Sequence, residues 1–205
     1  MKKILSFVLM CLMAGVLNAE NAYDVRSTLP VGEGNPYSQN PFTIPEALSQ
    51  YSGYRTDFKK VSAIDFSALH WNHFVSIFTN TGKKVYRSNF LEYLNVIEAE
   101  EEDEDYEPQY QQYPEGTVLF KEHFISENGS PGAPTQLSIM IKHPKGYDEK
   151  GGNWEYVQLT KDGQIVVRGS SKDQVVDQMC AQCHMNVADK DYIFALNYKD
   201  TSMDE

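Results

Sequence analysis

The chain has 205 residues, with 29 acidic against 18 basic side chains and a formal net charge of −11 at pH 7. So negative a chain lacks the electrostatic footprint of a nucleic-acid binder and is repelled by anionic membrane surfaces; a basic protein remains an acceptable partner. The length is that of one domain with a core of its own.

The first residues read MKKILSFVLMCLMAGVLNAENAY. Lys2 and Lys3, the apolar run Ile4 to Leu17 and the small residues before Ala19 have the layout of a secretory signal peptide, cleaved after residue 19. The apolar run is too short to span a bilayer comfortably. Cys11 would serve a lipoprotein, but bulky Met10 precedes it, so export to the periplasm with cleavage is expected. Cleavage removes two lysines and Cys11, leaving Cys180 and Cys183 as the cysteines of the mature chain.

Residues 20–45 carry Pro30, Pro36, Pro41 and Pro45 among Gly, Asn and Ser, and read as an extended arm. One domain is expected over 46–205. IPEALSQY predicts a short helix with Pro45 near its first turn. HWNHFVSIFTN and KKVYRS, separated by the turn signal NTG, predict a strand pair. SNFLEYLNVIEAE predicts a helix capped by Ser88 or Asn89, with Phe90, Leu91, Leu94 and Ile97 on its apolar side. Eight carboxylates then crowd residues 98–107, and an acidic, solvated loop is expected over about 98–112. Docking of a basic redox partner there is the alternative.

GTVLFKEHF and TQLSIMIKH alternate as strands do, with ENGSPGAP as the loop between them. NWEYVQLTKDGQIVVRG predicts a second hairpin around KDG. SSKDQVVDQMCAQCH, capped by Ser170 or Ser171, and VADKDYIFALNY predict closing helices. Hairpins followed by terminal helices make the fold class α+β, an antiparallel β-sheet with a few helices.

The chemistry sits in CAQCH, residues 180–184. Two cysteines this close staple too small a loop to stabilise a domain, so they serve chemistry. A structural zinc site wants a second ligand pair, and none is present. A redox dithiol sits at a helix N-terminus, whereas this pair ends its helical stretch. CxxCH is the attachment pattern of haem c. Residues three apart share a helix face, so Cys180 and Cys183 can each bond one vinyl group while His184 is carried beneath the iron. One covalently attached haem c is expected, bound through Cys180, Cys183 and His184, with His184 as the metal ligand.

The sixth position has weak candidates. Met179 and Met185 lie beside the motif and Met203 in the tail. Met140 is the credible thioether, though a strand methionine ordinarily packs. His70, His73, His123 and His143 read as surface or structural residues. An open sixth site is therefore expected.

YPEGTVLFKE, IMIKHPKGYD, GGNWEYVQLTKDG, CAQCH and DYIFA, in this order within about residues 70–195, resemble the cytochrome P-460 and cytochrome c′-beta proteins. The resemblance implies an antiparallel sheet with helices, a homodimer, one haem with His184 as proximal ligand, and a distal pocket open to small molecules. It also implies one of two chemistries. Members of the first kind oxidise hydroxylamine and carry a lysine-to-porphyrin bond; the others lack that bond and bind nitric oxide or carbon monoxide under an aromatic cap. Phe90, Phe120 and Phe124 are candidates for that cap, although core packing is the default for each. Lys121 and Lys142 are the candidates for the cross-link. Each is ordinarily an exposed strand lysine, so a gas-binding protein without the bond is expected. Hydroxylamine oxidation and plain electron transfer are the alternatives.

Overall fold

The computed structural model describes residues 40–103 and 105–199. The expected signal peptide, residues 20–39 of the expected arm, Glu104 and Met203 lie outside the described residues. The body is one antiparallel sheet: β1 (Lys59–Lys60), β2 (Asp65–Ser67), β3 (His73–Thr79), β4 (Val118–Glu127), β5 (Ser130–Lys142), β6 (Trp154–Thr160) and β7 (Ile165–Gly169). The strand order is β1-β3-β4-β5-β6-β7, and β2 also pairs with β3 on the side where β1 lies. The α+β class expected from the sequence is the one found. Among the described residues, no helix is long and apolar enough to cross a membrane.

Because side chains alternate across a strand, the register assigns each residue to one of two faces. Phe120, Phe124, Leu137, Ile139 and Leu159 share the first. It is covered by a 3-10 helix (Glu46–Tyr51) and by α1 (Tyr54–Asp57): Tyr54 stacks on Phe120, and Phe42 meets Phe124 edge-on. Within this apolar layer Glu122 is 1% exposed. Its carboxylate accepts from Tyr54 Oη at 2.5 Å, Arg55 Nε at 2.6 Å and Nη2 at 2.9 Å, and Ser76 Oγ at 3.1 Å. The second face carries Ile77, Leu119, Lys121, Met140, Tyr156 and Val167, and the C-terminal helical segment packs on it.

Several local readings give way to the structure. KKVYRS is not a strand but the start of α2 (Lys83–Glu101), whose N-cap is Gly82. The helix therefore begins well before Ser88, and Asn89 is buried inside it, exchanging two hydrogen bonds with the backbone of Gln111. Leu91 and Leu94 are exposed, while Tyr86, Asn89 and Ala99 face inward. The acidic run begins as helix, since Glu98–Glu101 belong to α2. The loop between β4 and β5 shrinks to Asn128-Gly129, both at positive φ (52° and 77°), the tight hairpin geometry that Asn-Gly favours. SPGAP continues as strand, with irregular pairing near Phe124. The closing helical segment takes Asp173 as its N-cap in place of Ser170 or Ser171, and DYIFALNY is irregular.

Breaking the Glu122 cluster leaves a buried carboxylate uncompensated. Arg55→Met is expected to lower unfolding free energy by about 3 kcal/mol in urea titration. The second face of the sheet, and any spectrum arising there, should be unchanged.

Candidate functional site

Cys180, Cys183 and His184 lie in one continuous helical stretch of changing pitch. α3 (Gln174–Val176) leads into a π turn (Asp177–Ala181), then α4 (Gln182–His184), then a 3-10 segment (Met185–Lys190). A π turn inside a helix re-aims the side chains that follow it and recurs at functional sites. Cys180 and Cys183 are free thiols. Both line, with His184, a pocket between the helix and the second face of the sheet, enclosing about 830 Å³ including space open to solvent.

The imidazole of His184 is fixed by its backbone surroundings. Its Nδ1 lies 2.6 Å from the carbonyl oxygen of Tyr192. A carbonyl only accepts, so Nδ1 carries the hydrogen and Nε2 keeps its lone pair for the pocket. Tyr156 and Phe194 hold the ring edge-on, each 5.5 Å away between centroids. Burial, and then the nearby Lys121, push its pKa down to about 4 despite the Tyr192 bond, so the ring is neutral at pH 7. Burial lifts the Cys180 thiol to about 11, the opposite of what a redox dithiol requires.

Asp191 sets this arrangement. It sits at φ 51° and Tyr192 at φ 67°, and together they reverse the chain after the helix. The Asp191 carboxylate, fully buried, accepts from Lys142 Nζ at 2.5 Å and the Tyr113 N–H at 2.7 Å, and its carbonyl accepts from Trp154 Nε1 at 2.9 Å. Lys142 also donates to Gly152 O and lies over the Trp154 ring. Of the two lysine candidates, then, Lys142 is a structural ion-pair member. It is not exposed, and it does not line the pocket.

Lys121 does line it. It too departs from the exposed reading, because β4 is a central strand and Lys121 lies on its pocket face. Burial lowers its pKa to about 8, with the Cys183 thiol acting slightly the other way. Its Nζ is 2.8 Å from His70 Nε2, and His70 Nδ1 is 2.9 Å from Ser67 Oγ. Both nitrogens of His70 are therefore engaged.

None of Phe90, Phe120 and Phe124 forms the pocket. Phe120 and Phe124 are on the opposite face, and Phe90 packs near Tyr198. The aromatic lining comes from Trp71, Tyr156 and Phe194. Trp71 and Asn72 take positive φ (56° and 57°) in the β2–β3 turn, a conformation invisible in a run that reads as strand. Met140 and Met179 both line the pocket, Met140 between Leu119 and Tyr156 on flanking strands. His143 lies elsewhere, stacked on Tyr147 and bonded to Glu155. His123 bonds Ser138, and His73 packs beside it.

The donor set fits a haem c. Two free thiols and a neutral imidazole with its Nε2 available share one wall, and the other walls are largely apolar. The buried Tyr156 hydroxyl has no partner among the described residues, which is what a bound polar group would relieve. Around these residues, no three His, Cys, Asp or Glu side chains converge as a metal-ion site within the described chain.

The sequence profile of the cytochrome P460 family matches residues 70–195. This chain belongs to the cytochrome P460 family. It is thus a haem-binding cytochrome, and the match takes in the sheet from His73 onward, the CxxCH helix and the segment carrying Tyr192. No curated protein matches the sequence.

Two outcomes follow from the geometry. Gly152 has φ 66°, and a Cβ there would collide with the Tyr192 ring. Gly152→Ala is expected to cost about 1–3 kcal/mol in urea unfolding and to disturb the His184 environment. The Lys121 amine loses its proton near pH 8 when folded and near its ordinary 10.5 when unfolded. Between those values the unfolded state binds more protons, so stability rises with pH. The unfolding free energy of wild type relative to Lys121→Met should increase from pH 8 to about 10.

Proposed function

We propose that the protein is an exported haem c protein that binds nitric oxide or carbon monoxide at an open iron position. Cys180 and Cys183 hold the cofactor by thioether bonds, and His184 Nε2 is the proximal ligand. The observation that carries this reading is the sharing of one pocket by both thiols and an imidazole whose other nitrogen is tied to the Tyr192 carbonyl. That hydrogen bond increases the donor strength of Nε2 and fixes the ring plane. When bound, the haem supplies a metal centre with one position for an external ligand.

The remaining residues favour a small, uncharged ligand. Leu69, Ile77, Leu119, Ile193 and Phe194 line the pocket, and an apolar wall strips water from ions at high cost. His70 offers no free lone pair, since Lys121 and Ser67 occupy both its nitrogens. Met140 is held in the packed core between two strands, which supports a packing role over ligation.

A second reading has one observation behind it. Lys121, unlike Lys142, is placed in the pocket, where hydroxylamine oxidation with a lysine-to-porphyrin bond would need it. We favour the free amine, because His70 already holds Nζ.

The protein, produced with a cytochrome c maturation system, should keep its colour through acid–acetone extraction, and Cys180→Ser and Cys183→Ser should each remove one thioether. The reduced form should bind carbon monoxide without losing a protein ligand. A low-spin reduced form abolished by Met140→Ala would contradict the open site. Peptide mapping should find haem on Cys180 and Cys183 alone; a third bond at Lys121, with hydroxylamine-dependent dye reduction, would favour the second reading.

A further inference from the structure

The second face of the sheet carries a polar cluster beside the pocket that ligand binding does not use. Lys121 on β4, its inner member, and His70 both line the pocket, as do Cys183 and His184. His70, from the β2–β3 turn, places Nε2 2.8 Å from Lys121 Nζ. His70 Nδ1 is 2.9 Å from Ser67 Oγ at the end of β2. Ser67 is half-buried, and its neighbours Phe66 and Ala68 are exposed. The three side chains thus form an unbroken hydrogen-bonded line from the pocket to the edge of the sheet. His73 and His123 flank His70 but do not join the line: His123 Nε2 is engaged with Ser138, and the ring centroids of His70 and His123 are 5.6 Å apart.

We propose that Ser67, His70 and Lys121 form a proton path between the pocket and solvent, with Lys121 as its inner end. It rests on the reading in which haem occupies the pocket and Lys121 keeps a free amine.

Each transfer balances without a buried imidazolium. The Lys121 ammonium passes a proton to His70 Nε2 as His70 Nδ1 gives its own to Ser67 Oγ, and the Ser67 hydroxyl hydrogen leaves to water. Uptake runs the same steps in reverse. His70 suits the role because it stays neutral: burial first, then Lys121, His184 and His73, push its pKa down to about 2. A neutral imidazole with one acceptor and one donor nitrogen conducts by exchanging tautomers. Lys121 suits the inner end because it lies on the pocket face of β4 with Nζ already within hydrogen-bond distance of His70 Nε2. The titratable groups facing it are His70, His123, His184 and Cys183, with His73 beyond them beside His70 and His123. The path gives a pocket lined mainly by apolar side chains a way to match an electron on the iron with a proton nearby.

The test uses the haem-loaded protein, rapidly photoreduced near pH 8 with a pH-indicator dye in weak buffer. Adding an electron to the iron lowers the positive charge near Lys121, so its amine binds a proton more tightly and takes one from solvent. Wild type should show this uptake. Lys121→Met should lose it. His70→Phe should keep the amplitude but slow the uptake about tenfold or more. His70→Gln, which can still hydrogen-bond Lys121 and Ser67 but cannot exchange a proton between two ring nitrogens, should be slow as well. Wild-type speed in either His70 variant would overturn the path, as would an absence of uptake in wild type, and both would leave the haem assignment standing. A protein that carries no haem, or one with Lys121 bonded to haem on peptide mapping, would overturn the underlying reading and the path with it.

Discussion

The buried ion pair between Lys142 and Asp191 is the constraint on which the site depends. The Lys142 ammonium is 11% exposed and the Asp191 carboxylate 1%, with 2.5 Å between them. Such a pair contributes little net stability, since desolvation offsets most of the attraction, but removing one partner leaves a charge stranded and costs several kcal/mol. Its value here is positional. The chain leaves the CxxCH helix through two left-handed residues, Asp191 and Tyr192, that a loose tail would not hold. Lys142, Tyr113 and Trp154 pin the first of them to the sheet. The second is thereby set with its carbonyl toward His184, and that one hydrogen bond decides which imidazole nitrogen faces the pocket.

The sheet keeps stability and chemistry on separate faces. On the first face the Glu122 carboxylate is satisfied by Tyr54, Arg55 and Ser76 under a layer of stacked aromatics. On the second, polar groups are less completely satisfied: the His123 Nδ1 and the Tyr156 hydroxyl are buried without a partner among the described residues. Orphaned polar atoms beside a pocket mark the side of the molecule built to receive something. The register joins the two faces, because Lys121 and Glu122 are adjacent on β4 and point oppositely. A slip of one residue in that strand would exchange them and ruin both layers.

Much of this was legible in the sequence where the pattern was local. The alternation in TQLSIMIKH and the KDG turn each carry their meaning within a few residues, and both were found where expected. Readings that failed depended on distant partners. KKVYRS carries β-favouring Val85 and Tyr86, yet the inward burial of Tyr86 and the Asn89 bonds to Gln111 hold it as helix. Phe120 and Phe124 were candidates for a pocket cap, but alternation sends them to the face opposite Lys121. Lys121 and Lys142 look alike in sequence; their partners, His70 for the first and Asp191, 49 residues downstream, for the second, tell them apart. Trp71 entered the pocket lining through a left-handed turn that no local signal announces.

The proposed function requires His184 as a proximal ligand whose orientation is set by Tyr192, with the other side of the iron open. Resonance Raman spectroscopy of the reduced, haem-loaded protein reads this directly, because an iron–histidine stretching band is seen only for a five-coordinate ferrous haem with an imidazole ligand. That band is expected in wild type, and its shift in Asp191→Asn, where the weakened Lys142 contact loosens the Tyr192 carbonyl from His184. A low-spin, six-coordinate spectrum without the band, or a band indifferent to Asp191, would contradict this reading.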